Sequence, residues 1–257
     1  MTKFITFASA KGGVGKTVVS FNVAIALSQF KHDVVYIDAN FSVPNVAILI
    51  GYHNPPITLN DVMEGKKHIS DAMYLHPSKL RIVPLSLSYE HSKRINPEKI
   101  HDVVLDLVGS AEFVILDSGS GLGNDVRNVI KASDEVIAIT TPELLAVTGT
   151  YRTVQLADEL GIKVSGAVLN NISGDEYDMS KENIESILEV PVIESIPHDN
   201  VVRKAYRQKQ PFVYVYPHSK ASLAIKRLAA RILGQKYEAP LPENKTKLDV
   251  FLEKLRK

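Results

Sequence analysis

Short apolar runs punctuate the chain at residues 4–8, 34–37, 80–83, 113–116, 135–140 and 164–169, and stretches with helical spacing separate most of them. Strands that alternate with helices need crossover connections. The pattern therefore predicts an α/β fold, a mainly parallel twisted sheet with helices on both faces, Rossmann-like in layout. Phe113-Val114-Ile115-Leu116 and Val136-Ile137-Ala138-Ile139 show no polar alternation, which puts them at the sheet centre, buried on both sides. Ligands of such sheets sit beyond the carboxyl ends of the strands, so the residues that follow each run are where chemistry is expected. The alternation continues to about residue 237 and stops at Pro240 and Pro242, after which a short helical run ends the sequence. Residues 1–237 are read as one domain, and 238–257 as a proline-containing spacer with a basic amphipathic helix.

The first strand exit carries the most informative motif. Ser9-Ala10-Lys11-Gly12-Gly13-Val14-Gly15-Lys16-Thr17 links the run at 4–8 to a helical stretch at 18–27 whose apolar residues fall on one face. Glycine lets successive backbone N–H groups converge on a polyphosphate, and the helix start, opened by Val18, adds its partial positive charge. Lys16 then reaches the outer phosphates and the Thr17 hydroxyl ligates Mg²⁺. A nucleoside triphosphate is the expected ligand. The usual P-loop spacing asks for glycine at position 10, where this chain has Ala10, and Lys11 is a second lysine in the loop. Two further strand exits carry carboxylates, Asp38 after 34–37 and Asp117 after 113–116. Both are candidates to hold Mg²⁺ directly or through its waters.

Composition narrows the field. At 257 residues and 45% hydrophobic the chain suits one globular domain, and its lack of cysteine excludes disulfides, cysteine metal clusters and thiol nucleophiles. No leader peptide and no apolar run long enough for a bilayer is apparent, so a cytoplasmic protein is expected. The net charge of +1 hides an asymmetry: residues 200–257 hold 14 Lys and Arg against 4 Asp and Glu, while residues 1–199 hold 16 against 25. A basic end on an acidic body points to an anionic partner, membrane or nucleic acid, or else to solvated lysines on terminal helices. The histidines lack i, i+4 pairing and receive no metal role.

The Lys-Gly-Gly-Val-Gly-Lys-Thr run resembles the deviant phosphate loop of the MinD/ParA family of dimeric ATPases, and the resemblance extends over about residues 1–233. It implies ATP with Mg²⁺ as cofactors and a homodimer formed on ATP, in which Lys11 crosses to the partner's nucleotide. Asp38, Asp117 and Gly121 match the family's switch positions, with the Gly121 N–H expected near the terminal phosphate. Asn170 matches a residue whose amide faces adenine, and Ile196-Pro197-His198-Asp199 resembles the loop over the base. Thr140-Thr141-Pro142-Glu143-Leu144 resembles the family's Asn-Pro-Glu turn. Two positions depart from the pattern. Gly119 replaces a proline, and Asn40 replaces the aspartate that orients or deprotonates the attacking water. An amide can hold a water but cannot accept its proton, so Lys11, Lys16 and Asn40 are taken as the catalytic set of a slow ATPase.

In the tail, Leu248, Phe251, Leu252 and Leu255 fall at i, i+3, i+4, i+7 with lysines around them. That stripe suits an interfacial helix, or docking on the chain's own body or on a partner. The resemblance favours a MinD-like ATPase that recruits an activator or cargo protein to an anionic membrane surface, on the inner face of the cell membrane. Other readings are a ParA-like ATPase that holds non-specific DNA through Arg203, Lys204, Arg207, Lys226, Arg227 and Arg231, a metal-insertion ATPase of hydrogenase maturation, and a scaffold that binds ATP without hydrolysing it.

Overall fold

The computed structural model describes residues 1–52 and 54–238. Eight strands form one sheet: β1 (Lys3–Ser9), β2 (Val34–Ala39), β3 (Tyr74–Leu75), β4 (Arg81–Val83), β5 (Phe113–Ser120), β6 (Glu135–Thr140), β7 (Lys163–Ile172) and β8 (Val192–Pro197). Their order is β3-β4-β2-β5-β1-β6-β7-β8, parallel throughout except for β3 against β4. This is the expected α/β layout. The apolar runs account for β1, β2, β4, β5, β6 and β7. β3 is very short and β8 reads Val-Ile-Glu-Ser-Ile-Pro, so neither stands out as an apolar run.

Three strands run two or more residues past the carboxyl end of their apolar runs. β5 continues through Asp117 to Ser120, β2 through Asp38 to Ala39, and β7 through Asn170 to Ile172. Asp38, Asp117 and Asn170 thus lie within strands, not after them. Ladder bonds depend on the backbone, so pairing continues through the polar residues: Phe7 pairs with Asp117 and Ala39 with Ser118, and after a shift of register Ser9 pairs with Ser120.

The Lys16–Gln29 helix also differs from its expected single apolar face. Nearly every residue from Val19 to Ser28 is buried, because the helix lies between the sheet and the Lys220–Ile232 helix, with Phe212 and Val213 beside it. A helix apolar all round is one enclosed on all sides. Leu59, Val62, Ile100, Val104 and Val129 fill a core on Val35, Ile37, Val114 and Leu116, separate from the one around this helix, so both sheet faces are covered. The tail residues Leu248, Phe251, Leu252 and Leu255 lie outside the described residues. No described helix is long and apolar enough to cross a membrane.

Candidate nucleotide site

The loop between β1 and the Lys16–Gln29 helix is held from three sides. Ala10 N–H donates to Thr153 Oγ1 at 2.8 Å, Gly121 N–H donates to Ala10 O at 3.0 Å, and Asn170 Nδ2 donates to Val14 O at 2.8 Å. Gly13 and Gly15 have φ of 84° and 87°, the left-handed region that side chains disfavour. At Gly15 a Cβ would also fall 2.3 Å from Asn170 Nδ2. The cradle is therefore preformed, with Lys11, Gly12 and Gly13 exposed above it.

Beneath the loop, β2 and β5 pair Asp38 with Asp117, which sets two carboxylates side by side in the core. Both are fully buried. Lys16 Nζ lies 3.1 Å from Asp117 Oδ1 and also donates to Ser118 O. Asp38 accepts from the backbone N–H groups of Asn40 (3.2 Å), Asn45 and Val46 (3.1 Å each). Burial, and after it the Asp117 charge, nonetheless push the Asp38 carboxyl up to about 7, since the backbone donors offset only part of the desolvation. Tyr36 Oη meets Ser20 Oγ at 2.9 Å, and burial followed by the two carboxylates holds it protonated. Asp117 Oδ2 has no hydrogen-bond partner among the described residues.

Two cavities open over this centre. One, of about 530 Å³, runs along Lys11 to Val18 and reaches Asn40, Asn45, Ser120 and Tyr206. The other, of about 350 Å³, is bounded by Asn170, Asn171, Pro197, His198 and Asp199. Gly13, Val14, Gly15 and Val18 line both, so they form one cleft astride the loop with a phosphate side and a base side. The residues fit Mg·ATP: a buried carboxylate oxygen lacks a partner, Thr17 opens onto the phosphate side, and a cationic amine stands within the pocket.

Several expected ligands carry other bonds. The Gly121 N–H is committed to Ala10 O, so a phosphate would have to share or displace that bond. The Asn170 amide braces the phosphate loop at the edge of the base pocket. His198 Nδ1 meets Asn171 Oδ1 at 2.8 Å. The Asp199 carboxylate caps the Asn200–Arg207 helix through Val201 N (3.1 Å) and also accepts from Ala221 N (3.2 Å). Asn40, 8% exposed, lines the phosphate side and accepts from Val43 N at 3.2 Å. Gly119 lies within β5. A Cβ there would meet Asp125 Oδ2 at 3.1 Å and Asn40 Oδ1 at 3.5 Å, so its missing side chain makes room for the Asp125 carboxylate beside Asn40. Of the basic set, Arg227 is paired with Glu194 at 2.8 Å and Lys226 donates to Pro217 O at 2.9 Å, whereas Arg203, Lys204 and Arg207 are exposed.

Tyr206, Asn45 and Thr153 join the site without any sequence signal. Each acts through a contact across the fold, and none belongs to a local motif.

A phosphate cradle at a strand-to-helix turn, buried acids in register below it and a base pocket alongside define a P-loop nucleotide-binding α/β protein. The model of the CobQ/CobB/MinD/ParA nucleotide binding domain matches residues 5–212, and the chain belongs to that family; it is a MinD/ParA-family ATPase. It is 37% identical over 253 residues to an uncharacterized ATP-binding protein of Methanocaldococcus jannaschii, with 98% of this chain and 95% of the relative covered. It is 30% identical over 264 residues to the antiactivator FleN of Pseudomonas aeruginosa, at 98% and 92% coverage. Among solved structures it is similar to the septum site-determining protein MinD of Pyrococcus horikoshii complexed with Mg-ADP, with a TM-score of 0.86, 30% identity, and 90% and 96% of the two chains covered.

Proposed function

We propose that this ATPase is a MinD-like switch: Mg·ATP joins two copies face to face across the phosphate loops, the dimer recruits a partner protein to an anionic membrane surface, and slow hydrolysis releases it. The observation that carries the reading is Lys11. It stands exposed at the mouth of the phosphate pocket, and its side chain has no hydrogen bond or ion pair among the described residues. Its backbone is backed by Gly149, where a Cβ would meet Lys11 Cβ at 3.5 Å. On the Leu144–Glu159 helix, Gly149 shares a face with Leu145, which is 73% exposed, and Met179 N–H donates to Pro142 O, bringing the segment of Tyr177, 83% exposed, to the same end. A free cation flanked by exposed apolar side chains suits a second copy with its nucleotide.

Within one copy, Gly12 to Val18 embrace the phosphates and Lys16 turns from Asp117 toward them. Thr17, Asp38 and Asp117 would hold Mg²⁺, whose charge would neutralise that of the phosphates. Asn40 holds the attacking water through its amide. Because that amide accepts no proton, Asn40→Asp is expected to raise kcat by about tenfold or more with little change in ATP affinity. Single-turnover hydrolysis measures this, and an unchanged rate would assign control of the water to another residue or to an activator.

The membrane part of the reading rests on residues 245–257. Near the end of the described chain Tyr237 stacks on Phe30, ring centroids 5.8 Å apart, at the end of the Lys16–Gln29 helix remote from the phosphate loop. This lets a tail reach a surface without covering the nucleotide. Burying Leu248, Phe251, Leu252 and Leu255 is worth roughly 1.5–3 kcal/mol each before the cost of ordering the helix. One copy binds weakly and two bind by avidity. Co-sedimentation with anionic liposomes is expected to need ATP, to vanish on truncation after Tyr237, and to fall sharply for Phe251→Glu. Salt-sensitive DNA binding by the truncated form, with liposomes ignored by the full chain, would favour the ParA-like reading instead.

A further inference from the structure

The end of the Lys16–Gln29 helix remote from the phosphate loop borders a cavity of about 510 Å³ that the nucleotide does not use. Ser28, Lys31, His32, Asp33, Ser78 and Lys79 line it. Two turns build this cavity. One closes the helix, where Lys31 N–H donates to Ser28 O at 3.0 Å and His32 N–H to Leu27 O at 3.2 Å; the other leads into β4, where Lys79 N–H donates to His76 O at 2.8 Å. A buried hydrogen bond from Ser28 Oγ to Ser78 O, 2.7 Å long, latches one turn to the other. The two lysines therefore stand on a fixed base.

Lys31 and Lys79 have φ of 70° and 72°. Glycine is the residue that such left-handed turns favour, and a side chain there is strained, so the turns themselves do not call for lysine. Both side chains are exposed, and neither has a hydrogen bond or ion pair among the described residues. The acidic groups nearby are engaged elsewhere: Arg81 Nη2 meets Asp33 Oδ1 at 2.6 Å, and His32 Nδ1 meets Glu112 Oε2 at 2.6 Å. The uncommitted charge at the cavity is that of the two lysines, and its complement is an anion.

Which anion follows from where the chain leads. Tyr237 stacks on Phe30, the residue before Lys31, and the sequence beyond it carries the stripe of Leu248, Phe251, Leu252 and Leu255. A bilayer that takes up that stripe is brought to this end of the domain, where its headgroups are the nearest anions. A headgroup on a flexible stem can enter the cavity, whereas the phosphates of a duplex stay on a stiff rod.

We propose that this cavity is a lipid headgroup site, in which Lys31 and Lys79 hold the phosphate of an anionic lipid while the tail inserts beside it. This rests on the membrane part of the proposed function and adds a second contact in each copy. Linked contacts reinforce one another, so the lysines strengthen the hold of a short stripe.

The test removes both cations in the full chain. Lys31→Gly with Lys79→Gly is used because glycine fits both backbone positions, and the variant is expected to melt at the wild-type temperature or higher. Its ADP affinity is expected to stay within about twofold. With Mg·ATP, its affinity for vesicles of mixed phosphatidylcholine and phosphatidylglycerol is expected to fall at least about tenfold. Lys31→Arg with Lys79→Arg keeps both charges and is expected to bind these vesicles as the wild type does. Lys204→Ala with Lys220→Ala removes the same charge from the end that holds the base pocket, where Ala221 N–H donates to Asp199, and is expected to change vesicle affinity by no more than about twofold. Unchanged vesicle binding by the glycine pair, equal losses in the glycine pair and the Lys204 and Lys220 pair, or a lowered melting temperature in the glycine pair would each overturn the headgroup site. Unchanged vesicle binding together with lost DNA binding would make the lysines a duplex contact instead. Wild-type protein that ignores anionic vesicles with Mg·ATP would overturn the membrane reading itself, and the site with it, a different failure.

Discussion

Lys16→Ala is expected to lower nucleotide affinity by at least about a hundredfold and to melt roughly 10 °C below the wild type. The first effect follows from losing a cation whose charge-assisted bonds to phosphate are worth about 1.5–3 kcal/mol each. The second follows from the ion pair with Asp117, whose side chains are 8% and 1% exposed. Removing Lys16 leaves Asp117 uncompensated next to Asp38 in the core, and breaking a buried pair costs about 3–5 kcal/mol, which in a chain of this size moves the melting point by a few degrees per kcal/mol. The two effects separate in a double variant. Lys16→Ala with Asp117→Asn is expected to recover most of the thermal stability and none of the affinity, as read by calorimetry for both. A double variant as unstable as the single one would show that the ion pair is not what Lys16 contributes to the fold.

Lys11→Ala is expected to do the reverse. Its side chain is exposed and bonded to nothing in the described structure, so monomer stability should move by less than about 0.5 kcal/mol, as at other surface positions. The Lys16 cradle stays intact, and ADP affinity with it. The ATP-dependent dimer is expected to disappear, because the lost group bridges to the partner's nucleotide. Analytical ultracentrifugation with a non-hydrolysable ATP analogue measures this; normal dimerisation by Lys11→Ala would remove the trans role.

The fold and the cradle were legible because both are written locally. The apolar runs at 113–116 and 135–140 mark central strands, and Gly13, Gly15, Lys16 and Thr17 form a motif within one turn of chain. The position of Asp38 and Asp117 inside their strands was not legible. Backbone pairing with β1 carries β5 past its apolar run, and no periodicity reports that. Long-range contacts were equally hidden: Asn170 bracing Val14, Thr153 holding Ala10, and Tyr206 reaching the phosphate cavity from a helix near the end of the domain. The consequence of Gly119 needed coordinates as well, since only the fold brings Asp125 against Asn40.

That ATP converts this chain from one copy to two is the central claim, and light scattering on size-exclusion chromatography of the full-length protein with Mg²⁺ tests it most directly. A monomer mass near 28.4 kDa with ADP, and twice that mass with a non-hydrolysable ATP analogue, is the expected result. The same mass with both nucleotides, under conditions where both are bound, would contradict it.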